Sequence, residues 1–341
     1  MPISAPNIGI DLGTSMTSIY VTNRGIVIHE PTLVVVERED RRIVQAVGDE
    51  ARFRYDRSQD QLITLSPIRN GQISDFDMAG LMLRYFIRKA IGTNFLNKPQ
   101  AIVSVPCGLD DVARKALTEA VRQAGVKHVF LIEKPFAGAI GTGLPVYDPV
   151  GNMVVDIGAG TTDVAVISLG GLVVSQSVPI GGNRMDEAIM NYLKRECNII
   201  VGRQTAENVK KDLATAMPLE EPRSILVRGI NQLNTSAGTI QFTSSQAYEA
   251  VKEPCEAIIK AIRWVLEKTP PELCADIMRG GIHLTGAGSM LFALDQYISE
   301  KLDIPVLLAR DPADCCILGI GYLTENIQLV YPADRRAVPT V

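Results

Sequence analysis

The sequence IGIDLGTSMTSIYV at residues 8–21 decides the fold, because a closely related pattern returns later in the chain. The second copy, VVDIGAGTTDVAV, occupies residues 154–166, and Asp156 aligns with Asp11 at an offset of 145 residues (156 minus 11). Each copy has an apolar run rich in β-branched residues, an aspartate followed by a glycine turn, and a second apolar run. This pattern predicts a strand, a tight turn and another strand. Two copies half a chain apart indicate a duplicated domain.

Helical and strand patterns alternate through the rest of the chain. Helices are predicted at residues 78–91, 110–124, 185–197, 205–217 and 245–268, and strands at residues 101–106, 282–285 and 306–308. This alternation indicates an α/β architecture whose sheets are covered by helices. The boundary between the two halves is predicted in the turn-rich segment at residues 143–149.

The composition is that of a globular protein and excludes several functions. The chain has 341 residues, of which 46% are hydrophobic, and its 34 basic and 38 acidic residues give a net charge of -4. This charge argues against nucleic acid as a partner. The six cysteines form no CxxC pair, so no structural zinc site is expected. The sequence also lacks the GxxxxGK[ST], GxGxxG, HExxH and GxSxG motifs of other nucleotide-binding and hydrolytic proteins.

Two observations bear on where the protein resides. The longest uncharged stretch, at residues 164–183, is interrupted by Gly170-Gly171 and Pro179, so it predicts two strands and no membrane helix. The first seven residues contain neither a basic nor an apolar region, so no signal peptide is expected. The chain is therefore predicted to be cytoplasmic.

The two aspartate–glycine turns predict a site for a nucleotide and a metal ion. A tight glycine turn directs several backbone N–H groups to one concave surface, which suits phosphate oxygens. Asp11 and Asp156 cannot bind phosphate directly, but their carboxylates can hold a hydrated Mg²⁺ that bridges the phosphates. A third turn, at residues 284–289, follows a strand and precedes a helix, and it offers another place where the backbone can approach a nucleotide.

These turns and several other motifs resemble those of the MreB-like bacterial actins, within the superfamily of actin, heat-shock chaperone and sugar kinase ATPases. The similarity runs from residue 8 to about residue 323. The matching motifs lie at residues 11–14, 65–71, 155–162, 179–189, 205–210, 269–273 and 286–289.

The resemblance implies a duplicated, actin-like (ribonuclease H-like) α/β fold with two domains of two subdomains each around a nucleotide cleft. The first domain would span residues 1–147, with an insertion at about residues 32–66. The second would span residues 148–330, with an insertion at about residues 181–250, and residues 331–341 would form a C-terminal tail.

The resemblance also implies which residues bind ATP. They belong to the first turn, to the second turn, and to an adenosine side where Glu207 and Lys210 approach the ribose or the adenine. The full set is Asp11, Gly13, Thr14, Ser15, Met16, Gly158, Ala159, Gly160, Thr161, Gly182, Glu207, Asn208, Lys210, Gly286, Ala287, Gly288 and Ser289.

One position departs from the family pattern. The residue before Pro135 is a glutamate or glutamine across the superfamily, where it orients the attacking water, but here it is Lys134. An ammonium donates hydrogen bonds and has no lone pair to accept a proton from water. Two alternatives remain for the catalytic group: Glu133 takes over the role, or Asp156 or a water network serves as general base. The departure implies slow ATP hydrolysis.

As a function, the resemblance implies an ATP-dependent cytoskeletal protein whose membrane-associated filaments organise cell shape and cell-wall synthesis. The expected partners are further copies of the chain, paralogues in mixed filaments, the inner face of the cell membrane and cell-wall elongation proteins. Phe95 and Leu96, adjacent in a loop, are predicted to insert shallowly into the membrane. A chaperone-like reactivation ATPase of the same superfamily is the alternative.

Overall fold

The structure is a computed structural model that describes residues 6–55, 61–92 and 98–330. Its strands, in chain order, are β1 (Ile8–Leu12), β2 (Met16–Val21), β3 (Gly25–Pro31), β4 (Val34–Glu37), β5 (Val44–Val47), β6 (Leu62–Leu65), β7 (Ile68–Arg69), β8 (Gln72–Ile73), β9 (Gln100–Val105), β10 (His128–Glu133), β11 (Asn152–Ile157), β12 (Thr162–Ser168), β13 (Gly171–Val178), β14 (Ile199–Ile200), β15 (Ser224–Asn231), β16 (Ala237–Thr243), β17 (Ile282–Thr285) and β18 (Val306–Leu308). Its helices are α1 (Asp49–Tyr55), α2 (Phe76–Ile91), α3 (Asp111–Gln123), α4 (Lys134–Gly141), α5 (Gly182–Glu196), α6 (Arg203–Leu213), α7 (Ser244–Lys268), α8 (Pro271–Gly280), α9 (Leu294–Leu302) and α10 (Cys315–Glu325).

The chain divides into two compact units. The first contains Met1–Val146 and Asp314–Val341, and the second contains Tyr147–Ala313. Each unit is built on a five-stranded sheet, with the order β10-β9-β1-β2-β3 in the first and β13-β12-β11-β17-β18 in the second. The central strand of each sheet, β1 or β11, pairs antiparallel with the next strand of the chain and parallel with a later one. The predicted duplicated α/β fold is therefore confirmed.

Apolar faces of helices bury the sheet of the first unit. Ile10 on β1 and Phe86 on α2 are both completely buried in the same core. Helix α2 begins after Asp75, whose carboxylate accepts a hydrogen bond from the Met78 N–H at 3.1 Å. This bond satisfies one of the N–H groups that a helix start leaves without a partner.

Three helices contribute to the core of the second unit in the same way. Met185 on α5, Val209 on α6 and Ile258 on α7 share one apolar cluster with Val155 of the central strand. Helix α7 begins with a capping box, in which Thr243 and the side chain of the third helical residue exchange hydrogen bonds. The start of α7 is therefore determined by the capping box as well as by the burial of its apolar residues in the core.

Two smaller sheets lie in the segments that the family resemblance assigns to insertions. The sheet β5-β4-β6 belongs to the first unit, and the sheet β14-β15-β16 belongs to the second. The uncharged stretch at residues 164–183 contains most of β12 and all of β13, so the predicted pair of strands is confirmed. None of the helices in the described ranges is long and apolar enough to cross a membrane.

The last helix, α10, packs in the first unit against α4. A Cβ atom on Gly319 of α10 would lie 1.8 Å from the carbonyl oxygen of Ala137, and one on Gly141 of α4 would lie 1.9 Å from that of Cys315. The two helix backbones touch because neither glycine carries a side chain. The resemblance placed residues up to 330 in the second domain, whereas residues from Asp314 onward group with the first unit, in which α10 contacts α4 and the strands β1, β2 and β9.

Candidate functional site

The first turn joins β1 to β2 and is closed by a backbone hydrogen bond. The Gly13 N–H donates to the Met16 carbonyl at 3.0 Å. The Thr32 hydroxyl donates to the Gly13 carbonyl at 2.8 Å, and the Gly71 N–H donates to the Thr14 hydroxyl at 3.1 Å. The turn is thus supported from two other segments of its own unit, and the residues predicted for it lie together.

The second turn repeats this geometry between β11 and β12. The Gly158 N–H donates to the Thr161 carbonyl at 2.8 Å, so both partners lie 145 positions after those of the first turn. The turn carbonyls accept hydrogen bonds from the start of α5, with Gly182 N–H to Gly158 at 3.0 Å and Asn183 N–H to Ala159 at 2.8 Å. The predicted residues 158–161 and Gly182 are therefore brought together.

A carboxylate–hydroxyl pair accompanies each turn. The Ser104 hydroxyl on β9 donates to Asp11 Oδ1 at 2.6 Å, and the Thr285 hydroxyl on β17 donates to Asp156 Oδ1 at 2.9 Å. Both hydroxyls come from the strand that pairs parallel with the strand of the aspartate. Each bond holds the carboxylate in one orientation at the edge of its turn. Sequence reasoning did not single out Ser104 or Thr285 as site residues.

The first turn has a cation beside its aspartate. Lys134, the first residue of α4, places its Nζ 3.1 Å from Asp11 Oδ1, and its side chain is only 9% exposed. Burial raises the pKa of the Asp11 carboxyl, but Lys134, Ser104 and Cys316 lower it more, and the net result lies below the ordinary value. Asp11 is therefore an ionised partner of an enclosed ammonium group.

Glu133, the neighbour of Lys134, has a different partner. Its Oε1 accepts a hydrogen bond from the Arg114 guanidinium of α3 at 2.7 Å, and the Arg114 Nε–H also donates to the Leu109 carbonyl at 3.1 Å. Glu133 is thus bound to α3, while Lys134 points to the first turn. The hypothesis that Glu133 replaces the usual catalytic residue requires this ion pair to open.

The third turn, at residues 286–289, lies against the second. A Cβ atom on Gly286, whose φ is +81°, would lie 2.3 Å from the Ile157 carbonyl oxygen. The Gly286 N–H donates to the Pro312 carbonyl at 2.7 Å, and the Ser289 hydroxyl donates back to the Gly286 carbonyl at 2.6 Å. The predicted residues Gly286, Ala287, Gly288 and Ser289 are therefore part of the same cluster as the second turn.

Helix α6 reaches this cluster through one lysine. Lys210 Nζ donates to the Gly182 carbonyl at 3.0 Å and lies 2.7 Å from Asp186 Oδ1. Burial raises the pKa of the Asp186 carboxyl above its ordinary value, although Lys210 opposes this shift. Glu207 forms an ion pair with Lys211 on the same helix.

Asn208, also predicted to bind the nucleotide, is exposed on α6 and accepts a hydrogen bond from Gln204 at 3.1 Å. The predicted membrane residues Phe95 and Leu96 lie outside the residues that the structure describes, as does the predicted tail at residues 331–341.

The fit of these residues to Mg²⁺ differs between the two turns. The described ranges contain no cluster of three or more His, Cys, Asp or Glu side chains that could hold a metal ion. Mg²⁺ instead commonly binds one or two carboxylates, water and substrate phosphates. Asp156, held by a neutral hydroxyl, fits this role, whereas Asp11 is already neutralised by Lys134.

Comparison with known proteins places these features in a family. The family model described as MreB/Mbl protein matches residues 5–331. The cell shape-determining protein Mbl of Bacillus subtilis (strain 168) is 41% identical over 323 residues, which cover 95% of this chain and 97% of that protein.

Two solved structures are also similar to the chain. MreB5 of Spiroplasma citri bound to AMPPNP has a TM-score of 0.90 and 28% identity, covering 99% of this chain and 100% of that one. A double-helical filament of MamK has a TM-score of 0.77 and 25% identity, covering 93% and 98% of the two chains.

Proposed function

Because the chain belongs to the MreB/Mbl family of actin-like proteins, we propose that it binds ATP and assembles into cytoskeletal filaments. One observation carries the ATP-binding part: each unit contains a closed glycine turn beside a carboxylate that a hydroxyl holds in place. Backbone N–H groups at such turns suit phosphate oxygens. The MreB5 structure with bound AMPPNP supports a nucleotide as the ligand.

We propose that the second turn, Gly182 and the turn at residues 286–289 bind the nucleotide, and that residues 13–16 of the first turn bind phosphate oxygens. A bound Mg²⁺ would supply positive charge that offsets the charge of the phosphates. Asp156 is the carboxylate that fits its hydration shell. Lys210, already engaged with Gly182 and Asp186, acts mainly by fixing the start of α5 beside the second turn.

Filament formation is proposed from the relatives, among which MamK forms a double-helical filament. Identical subunits that contact one another through two different surfaces form open filaments when the rotation does not close a ring. We propose a role in cell shape, because this is what the name of the Mbl relative states. The family match over nearly the whole chain favours this function over the chaperone-like alternative.

Hydrolysis of ATP is proposed to be slow. Lys134 stands at the position where the family uses a water-orienting acceptor, and its Nζ is engaged with Asp11 instead. A positioned nucleophile supplies a large part of the catalysis of phosphoryl transfer, so its loss slows the reaction. Long residence in the ATP state would give stable filaments.

Attachment to the inner face of the cell membrane is a further part of the proposal, with Phe95 and Leu96 as the inserting pair. Each buried apolar side chain would contribute about 1.5–3 kcal/mol at most, and a filament multiplies weak contacts by avidity. Co-sedimentation of filaments with liposomes measures this attachment. Equal binding by wild type and a Phe95→Ser/Leu96→Ser variant would exclude that pair.

Sedimentation and electron microscopy test the filament proposal as a whole. Purified protein is incubated with ATP, ADP or AMPPNP, with and without liposomes, then pelleted and imaged by negative stain. We expect filaments that pellet with ATP and AMPPNP. A strictly monomeric protein at high concentration, with nucleotide and lipid both present, would contradict the proposal.

A further inference from the structure

We propose that Lys134 is a built-in counter-ion of the first turn, which occupies the place beside Asp11 that a hydrated Mg²⁺ would need. The first turn then accepts phosphate without a metal ion, and ATP binding by this chain depends only weakly on Mg²⁺. This inference rests on the proposed binding of ATP.

The surroundings of the ion pair support a fixed counter-ion. Lys134 Nζ lies 3.1 Å from Asp11 Oδ1, and the two side chains are only 9% and 16% exposed. Because Lys134 opens α4 and is followed by a proline, its backbone is set by the helix start. Contact between α4 and α10 at Gly141 and Gly319 fixes the helix in turn. An enclosed ion pair of this kind is screened far less than a surface pair.

The charge of the pair determines what the first turn can bind. Asp11 and Lys134 together carry no net charge, so a phosphate group that approaches residues 13–16 is not repelled by an uncompensated carboxylate. The ammonium can add a charge-assisted hydrogen bond to the phosphate. A hydrated Mg²⁺ on the Asp11 carboxylate would instead lie close to a second cation. Lys134 therefore replaces, at this turn, the screening that a metal ion would provide.

The test is the dependence of ATP affinity on Mg²⁺, measured by calorimetry in excess Mg²⁺ and in EDTA. Wild type is compared with Lys134→Met, which keeps the length but removes the charge, and with Lys134→Glu. Lys89→Met is the matched control, because Lys89 also forms an ion pair in the first unit, with Glu30 at 2.7 Å. Circular dichroism melting shows that each variant is folded.

For wild type and Lys89→Met we expect the Kd for ATP to rise by about threefold or less in EDTA, and for both Lys134 variants by about tenfold or more. A wild-type Kd that rises in EDTA as much as that of Lys134→Glu would overturn the inference, and this comparison stands even if Lys134→Met does not fold. Failure of wild type to bind ATP in excess Mg²⁺ would instead refute the proposed function.

Discussion

The two turns share one backbone geometry, and different side chains contact their aspartates. In both, a glycine N–H closes the turn, and a hydroxyl from the parallel neighbouring strand holds the aspartate at its edge. Asp11 also has Lys134 beside it, supplied by α4 of its own unit. Duplication has therefore kept the geometry of the turn, while Lys134 sets the electrostatics of the first copy. The copies should respond differently to the same kind of substitution.

The largest expected effect is that of Asp156→Ala. We expect it to abolish phosphate release, because Asp156 is the carboxylate that fits the metal ion, and to weaken Mg-ATP binding by only about threefold or less, since ATP binding itself depends weakly on Mg²⁺. Calorimetry and a phosphate-release assay measure the two effects. Asp276→Ala is the control, since Asp276 accepts from the Gly151 N–H at 2.9 Å just before the start of the same strand β11. Normal binding and turnover by Asp156→Ala would show that the site is misplaced.

The second prediction concerns the packing of α10 against α4, the helix that begins with Lys134. Gly319→Ala places a Cβ 1.8 Å from the Ala137 carbonyl oxygen, so α4 and α10 must separate. We expect the free energy of unfolding to fall by about 3 kcal/mol, measured by chemical denaturation.

The matched control is Gly80→Ala in α2, where an added Cβ has no neighbour within 4 Å. This substitution should stabilise the protein by about 0.5–1 kcal/mol. Equal effects of the two substitutions would mean that the close contact of α4 with α10 does not contribute to stability.

The third prediction restores the family residue. Lys134→Glu supplies an acceptor for the attacking water, and we expect phosphate release to accelerate by about 10- to 100-fold. Glu133→Ala is the companion variant, because Glu133 is bound to Arg114 at 2.7 Å. No acceleration by Lys134→Glu, together with loss of release in Glu133→Ala, would identify Glu133 as the catalytic group.

The smallest expected effects are those of the two hydroxyls. Thr285→Val should slow phosphate release by about tenfold, because it removes a donor from the Asp156 carboxylate, which has been assigned to the metal ion. Ser104→Ala should slow phosphate release by only about threefold, since Asp11 keeps the contact with Lys134. A phosphate-release assay under one set of conditions ranks the two. The reverse order would mean that Asp11, and not Asp156, carries the greater role.

The sequence predicted the backbone of the site better than its electrostatics. The repeat at an offset of 145 residues located both turns, because local glycine and β-branched residues determine a strand–turn–strand unit. Ser104 and Thr285 were missed since a hydroxyl residue at the end of a strand is common, and only strand pairing brings each one to its aspartate. The contact of Lys134 with Asp11 joins residues far apart in the chain, and no local pattern encodes it.

Helix boundaries show the same division between local and tertiary causes. The helix predicted at residues 185–197 begins three residues earlier, at Gly182, although glycine disfavours helices. Hydrogen bonds from its first N–H groups to the second turn offset that preference. Helix α7 begins within one residue of the predicted start, because its capping box is formed by Thr243 and Gln246, which are only three positions apart in the sequence.

Because α10 belongs to the first unit, translation of the second unit is complete before translation of the first unit is complete. The second unit is one uninterrupted segment, Tyr147–Ala313, so all of its strands and helices are available once that segment has been translated. The first unit begins earlier but is completed later, because the helix that packs on α4 is synthesised after the whole second unit. Domains generally fold as units during synthesis. Until α10 has been synthesised, Gly141 of α4 lacks the backbone neighbour that it has in the folded protein, so the helix that begins with Lys134 is not yet held in place.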